Sequence, residues 1–494
     1  MHSPSCLYLL PLLLIAPGQA FTSSSRSSSF IHSPPRIHKS HPIKGSRPLQ
    51  RFSPHYALLP QQNDDEYCEI GLNAVDECAT IPGTQSQSSA ATNIAKCICG
   101  AGSFALPHVF LEEGVLGGTL AMTACSLLAA STMNSLQQSK AAASVTRPVT
   151  SYVELAEEVL GKNAANLVFT LTLSASIGVC STYLVFIGQT LESLSCDVTT
   201  QNIVRQVFPD VTEFTWEAIV ATILYPLSLI RNYGIFAWTS ALGVVTVVGG
   251  IIVTLASGIL VNPGGGLEVA INAIGNLRLW PESLAVAFGG SFGTIAYLFC
   301  VNFLTFPIIN SMREPEKDYA GAVNVAVSGV WIVNVVFAVL CLGFYGDNTQ
   351  DLVLGNLDNG PYLSALKLLL CIDLLFTFPI VFSSGRQILE NSILGTEKVE
   401  SGEAGASQAA IVAGAVGSCF CLAQIGGVGA VANLVGGVAQ GTLAFIMPPL
   451  IAVTLSRRND SDLDGGEAKQ ALIGTFGVAV VSAVTYFTVV GIFQ

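Results

Sequence analysis

A succession of apolar windows, each with at most one charged residue, leaves this chain few ways to fold. They lie at 114–139, 164–191, 218–230, 232–267, 283–312, 321–346, 368–385, 404–456 and 470–494. About 20 mainly apolar residues cross the hydrocarbon of a bilayer as a helix, because a helix satisfies its own backbone hydrogen bonds where no water is present. The short window 218–230 extends past Glu217 and Glu213 towards Val211. Asp373 interrupts the stretch from Leu363 to Phe382 without dividing it, and 404–456 divides at the Gly426–Gly429 turn. With one further span upstream, the chain reads as an all-α polytopic membrane protein of eleven transmembrane helices.

That first span, NIAKCICGAGSFALPHVFLEE from Asn93 to Glu113, is built to break. Asn93–Cys99 and Ser103–Leu111 form two half-helices around Gly100-Ala101-Gly102, and Pro107 has no amide hydrogen to return to Ser103. A break at membrane depth is tolerated only where protein, water or a ligand supplies the missing partners, and many secondary transporters build their sites this way. The alternative is a continuous helix whose glycines allow close packing.

Of the 494 residues 51% are hydrophobic and only 11% charged, against roughly a quarter charged in soluble domains. Residues 1–60 hold six basic and no acidic residues, leaving 15 basic and 33 acidic in the remainder, so nothing in the body suggests nucleic-acid binding. Five of six histidines lie in the leader, and only His108 is in the body. That argues against a histidine metal site or a Ser-His-Asp triad, and no cofactor is expected. The thirteen cysteines contain no CxxC.

Leu7–Ile15 is a short apolar run ending in small residues before Ala20, which reads residues 1–20 as a signal peptide. Residues 21–60 are Ser-rich, basic and free of acids, like an organellar transit segment. The combination resembles the bipartite plastid presequence of algae with complex plastids; plain secretory entry, to a vacuolar, other endomembrane or plasma membrane, is the alternative. Residues 61–90 read as a flexible, mildly acidic N-terminus, and 91–494 as the membrane domain.

Connections after the even-numbered spans carry Lys140, Arg147, Lys162, Arg231, Arg313, Lys317, Arg386, Lys398, Arg457, Arg458 and Lys469; the opposite ones carry Arg205, Arg278 and Lys367. The positive-inside bias places the mature N-terminus on the cytosol-like side and the C-terminus opposite.

Seven segments in order resemble the amino acid/auxin permease family, whose fold is LeuT-like. They are GAGSFALPHVF (100–110), SYVELAEEVLG (151–161), GVCSTYLVFIGQTLESL (178–194), PLSLIRNYGIFAWTSALG (226–243), FPIINSM (306–312), FPIVFSSGRQILE (378–390) and NLVGGVAQGTLAFIMPPL (433–450). The resemblance implies a 5+5 inverted repeat plus one helix, with helices 1 and 6 broken and substrate between them. The sixth window does hold Gly289-Gly290, Gly293, Cys300-Val301-Asn302 and Pro307, as a second broken helix requires. Two departures stand out: Val301-Asn302 where many members have Gly-His, and His108 where a Tyr is usual. Both keep substrate preference open.

Candidate substrate contacts are Gly100, Ala101, Gly102 and Ser103, where a half-helix N-terminus favours a carboxylate, with Cys300 and Asn302 on the facing wall. Tyr183 and Phe299 could close over the substrate. Lys96 falls where the resemblance implies Asn in sodium-coupled members and Lys in several proton-coupled ones; otherwise it snorkels to the interface. Asp373 is the one acid well inside a span, either carrying a proton, pairing with Lys96 or facing a polar loop. Thr377, one turn on, matches a position whose hydroxyl helps hold sodium in the family.

The sequence therefore reads as a secondary active transporter of amino acids, neutral ones and proton-coupled, working by alternating access in a lipid bilayer. Sodium coupling and a non-transporting sensor on the same fold are the alternatives; a sensor would want a signalling tail, whereas the chain stops at Gln494 after the last span. An embedded enzyme would need paired acids or histidines at depth, which the windows lack.

Overall fold

The structure is a computed structural model, and it describes residues 85–144, 149–195, 208, 211–230, 237–260, 266–357, 360–394, 405–459 and 466–493. The leader readings, residues 1–84, lie outside these. The regular secondary structure of the described residues is all helical, apart from one isolated bridge that pairs Gln85 with Met312.

In chain order the helices are α1 (Gln87–Ile98), α2 (Leu106–Glu113), α3 (Val115–Ala143), α4 (Tyr152–Leu160), α5 (Lys162–Ser195), α6 (Glu213–Leu229), α7 (Ala237–Leu260) and α8 (Gly266–Ile274). They continue as α9 (Phe292–Phe299), α10 (Thr305–Ser311), α11 (Pro315–Tyr345), α12 (Pro361–Leu394), α13 (Gly405–Ala423), α14 (Val428–Leu434), α15 (Met447–Asn459) and α16 (Gly466–Phe493). Among the described residues eight stretches are long and apolar enough to cross a bilayer, and the bent pair α1–α2 makes nine. The 17-residue α6 and the 24-residue α7 stand at the positions expected of the fourth and fifth spans. This arrangement is compatible with eleven spans. Large apolar side chains such as Val245, Ile252, Val325 and Leu472 point outwards, as suits a molecule whose solvent is lipid.

The start of α1 lies four residues inside the stretch 61–90 read as flexible. Ser86 explains it, accepting the Ser89 amide at 3.4 Å as an N-cap. Polar contacts sort the helix ends onto two faces. On one, Gln85 exchanges backbone bonds with Ser311 and Arg313 at 3.0 Å, and Asn310 at the end of α10 joins Lys140 and the Thr150 carbonyl. On the other, Arg278 donates to Leu111 O at 2.7 Å and Asp351 accepts the Gly429 amide at 3.2 Å. This is the alternation that the charge bias predicts. Within the bundle α5 is central, with 72% of its apolar window buried, and α16 is peripheral at 22%.

Arg386 anchors a helix end as its place on the eighth span suggests. Its Nη1 donates to Ser228 O, in the last turn of α6, and its Nε lies 3.7 Å from Glu390.

Candidate functional site

The first span breaks where its glycines stand. Helix α1 ends with the Cys99 amide bonded to Ala95 O at 2.7 Å, and Gly100 takes an extended conformation (φ −131°, ψ −152°). Residues Ala101–Ala105 then wind as a tight 3-10 turn, closed by Ser103 N to Gly100 O at 3.1 Å. Because of that turn the second half-helix starts at Leu106 rather than Ser103, and Pro107 falls in its first turn, where an amide has no helical acceptor anyway. The two halves meet at 46°.

Phe104 pins the turn in place. Its fully buried ring packs tilted on Phe186 of α5 (6.1 Å) and edge-on to Phe337 of α11 (5.9 Å), and a Cβ at Gly250 of α7 would lie 2.7 Å from its tip. Gly102 lets the sixth span approach: a Cβ there would be 3.0 Å from Leu298 and 3.3 Å from Tyr297. Gly100 differs, because a Cβ there would meet nothing within 4 Å. The break therefore offers open space at Gly100 beside a packed wall at Gly102. Ala101 lends its backbone to the turn; its methyl lies outside what is described.

The sixth span is broken too. A wide π turn over Ala287–Ser291 precedes α9, which stops at Cys300 and Val301, and a 3-10 turn over Asn302–Leu304 leads into α10. The breaks of the two spans thus stand at corresponding places, and α9 packs against the Ala101–Ala105 turn.

The side chains expected at the site fall into two groups. Lys96, on the last turn of α1, and Asp373, on α12, lie within electrostatic reach of each other. Asp373 is 5% exposed; it takes a hydrogen bond from Thr377, while its Oδ1 has no partner. Tyr183 of α5 lies within reach of Asp373 and of Tyr297. The Tyr297 hydroxyl bonds Thr182, whose own proton goes to Gly178 O at 3.1 Å.

Cys300 and Asn302 neighbour α3. Cys300 neighbours Cys125, and Asn302 Nδ2 donates to Thr132 Oγ1 at 3.0 Å. Its Oδ1 is buried without a partner and remains able to accept a donor. Phe299 is fully buried. An open groove of about 500 Å³ between α1, α7 and α11, with the outward-facing Ile252 and Val325 in its lining, reaches Lys96 and Cys99; Thr92 is its other polar group. Phe104, Tyr297 and Thr132 are the contributors that sequence reasoning passes over, since aromatic and hydroxyl groups in membrane helices usually only pack. No group of acids, histidines or cysteines among the described residues could hold a metal ion.

Two broken helices, meeting near a half-buried lysine and a buried aspartate inside an apolar bundle, have the architecture of a membrane carrier. A family model described as "Transmembrane amino acid transporter protein" matches residues 83–493, and the chain belongs to that family. It is 24% identical over 322 residues to the amino acid transporter AVT3C of Arabidopsis thaliana, covering 63% of this chain and 71% of that one. To the Arabidopsis amino acid transporter ANT1 it is 25% identical over 383 residues, 74% of this chain and 83% of the relative. The sodium-coupled neutral amino acid transporter 7 of Danio rerio is 24% identical over 314 residues, 61% and 65%. These relatives are transporters, not enzymes.

Proposed function

We propose that this chain is a secondary active transporter of neutral amino acids, coupled to protons and working by alternating access. The observation that carries the reading is that Lys96, in the last turn before the first break, lies within electrostatic reach of Asp373. A charged group inside a span is costly and is kept for function. Here an ammonium occupies the ground where a coupling cation would sit, and its carboxylate partner can carry a proton. The pair is neutral as a whole, which suits a substrate whose side chain is uncharged.

In this reading the substrate carboxylate is held by the backbone of Gly100, Ala101, Gly102 and Ser103, where Gly100 leaves room. Tyr183 and Tyr297 close the opposite side. Asn302 offers its free oxygen to the substrate ammonium, Cys300 and Phe299 complete the wall, and Thr377 orients Asp373.

Sodium coupling is the second reading, and the name of the Danio rerio relative favours it. Uptake of labelled amino acids into proteoliposomes, with pH and sodium gradients imposed separately, decides between the two. Proton-driven uptake without sodium, weakened in Lys96→Asn, is expected; uptake that requires sodium overturns the coupling. We also propose that residues 1–20 and 21–60 direct the chain to a plastid membrane. A fluorescent fusion of residues 1–90 that stays outside plastids would refute that.

A further inference from the structure

His108 is the only histidine among the described residues, and nothing in the transport scheme above uses it. It lies on α2 one turn before Glu112, with both side chains about one-third exposed on the face that carries the 346–357 connection. Its Nδ1 is 3.2 Å from the Thr349 carbonyl oxygen. A carbonyl can only accept, so Nδ1 must carry the proton and Nε2 is bare in the neutral ring. That bare nitrogen faces Glu112 Oε1, 3.7 Å away.

The other Glu112 oxygen accepts a hydrogen bond from Ser291 Oγ, in the wide turn of the sixth span. Gly290 admits the carboxylate, since a Cβ there would lie 2.8 Å from Glu112 Oε2. Two adjacent side chains therefore tie α2 to both the 346–357 connection and the sixth span. The same connection places its Val353–Asn356 turn against the first break. In the transport reading, opening on this face parts these ties.

The other charged and titratable groups on the surrounding elements have different engagements. Arg278 donates to Leu111 O and pairs with Glu282, and Asp351 binds the Gly429 amide. Glu113 is turned into the bundle within electrostatic reach of Glu112, and Asp347 is exposed at the start of the connection. Tyr297 bonds Thr182.

We propose that His108 and Glu112 form a proton-binding latch that holds this face closed. A proton taken up at Nε2, beside the carboxylate, makes the ring cationic. Its Nδ1–H then makes a charge-assisted bond to Thr349 O, roughly twice as strong as the neutral one. That bond exists only while the connection is docked, so protons on this face favour the closed arrangement, as reciprocal linkage demands. The ligand is a proton, and the latch needs neither Lys96 nor Asp373.

The inference rests on the transport reading only in supposing that this face opens, and its test uses no substrate. Val353→Cys, at a position fully buried in the docked connection, is placed in the full-length chain in proteoliposomes. Its labelling by an impermeant maleimide is normalised to that of Asn348→Cys, at an exposed position on the same connection. From about pH 8 to about pH 5.5, the range over which histidines change charge, the normalised labelling should fall. A fall of about fivefold is expected, the low end of usual coupling factors. His108→Gln and Glu112→Gln should each flatten the response; Glu112→Gln also reads the latch if the histidine variant does not fold. An unchanged pH response in either variant, or a flat response in the parent, overturns the latch and leaves the transport reading standing. Failure of substrate uptake, with labelling of the Val353→Cys variant still pH-responsive, does the reverse.

Discussion

The side-chain oxygen of Asn433 accepts the Gly293 amide at 2.6 Å, while its nitrogen donates to Gly289 O at 2.8 Å. A π turn shifts the helical bonding register and leaves backbone groups without their regular partners, which lipid cannot supply. Asn433 supplies both. Asn433→Leu should destabilise the protein by about 1–3 kcal/mol for each orphaned group, seen as a lower unfolding temperature in detergent. Asn433→Asp keeps the acceptor and loses the donor, so it should fall between leucine and wild type. A leucine variant as stable as wild type would show that the wide turn does not depend on this clamp.

The same crossing fixes two glycines. A Cβ at Gly436 would collide with Gly293 O and the Tyr297 amide, and one at Gly293 with the Asn433 carbonyl. These obstacles are backbone and cannot swing aside. Gly436→Ala should cost at least the roughly 1–3 kcal/mol typical of overpacking and abolish uptake. Gly414→Ala and Gly417→Ala, on α13, would meet nothing within 4 Å and should stay within about 0.5 kcal/mol of wild type. Heating followed by size-exclusion chromatography compares all three.

Both breaks were legible in the sequence because their causes are local: glycines at 100 and 102, and the Cys300-Val301-Asn302 step before Pro307. The partners were not. Asn433 is conspicuous as an amide in an apolar run, but its contact lies 140 residues away and no periodicity points to it. Lys96 and Asp373 announce themselves as charges in apolar windows, while nothing in the sequence tells that α1 and α12 bring them within electrostatic reach of each other. Asn302 shows the same limit. The turn that follows the break sets its azimuth, and it directs the side chain to Thr132 on α3.

Arg386 and Glu390 are both nearly buried, so removing one takes away the charge that faces the other. Arg386→Met also leaves Ser228 O without its donor at the end of α6. The single variant should lose about 3–5 kcal/mol. Adding Glu390→Leu should recover much of that, because the buried carboxylate that faced Arg386 is then gone. Unfolding in detergent of the two singles and the double gives the coupling directly, and additive losses would mean that the two side chains are energetically independent.

Gly243 offers a test of Asp373 that leaves both charges of the pair in place. A Cβ at Gly243 would collide with the Asp373 carboxylate, so Gly243→Ala must push that group off its position opposite Lys96. If the placement of the carboxylate matters for coupling, Gly243→Ala should reduce proton-driven uptake by about tenfold, the equivalent of about 1.4 kcal/mol, and match Asp373→Asn. Gly249→Ala on the same helix, where the nearest heavy atom would be 3.9 Å away, controls for the added methyl and should leave uptake near wild type. Full uptake in Gly243→Ala together with loss in Asp373→Asn would mean that the charge is needed but its position is not. Full uptake in both would remove Asp373 from the coupling scheme and leave Lys96 as a charge without a transport role.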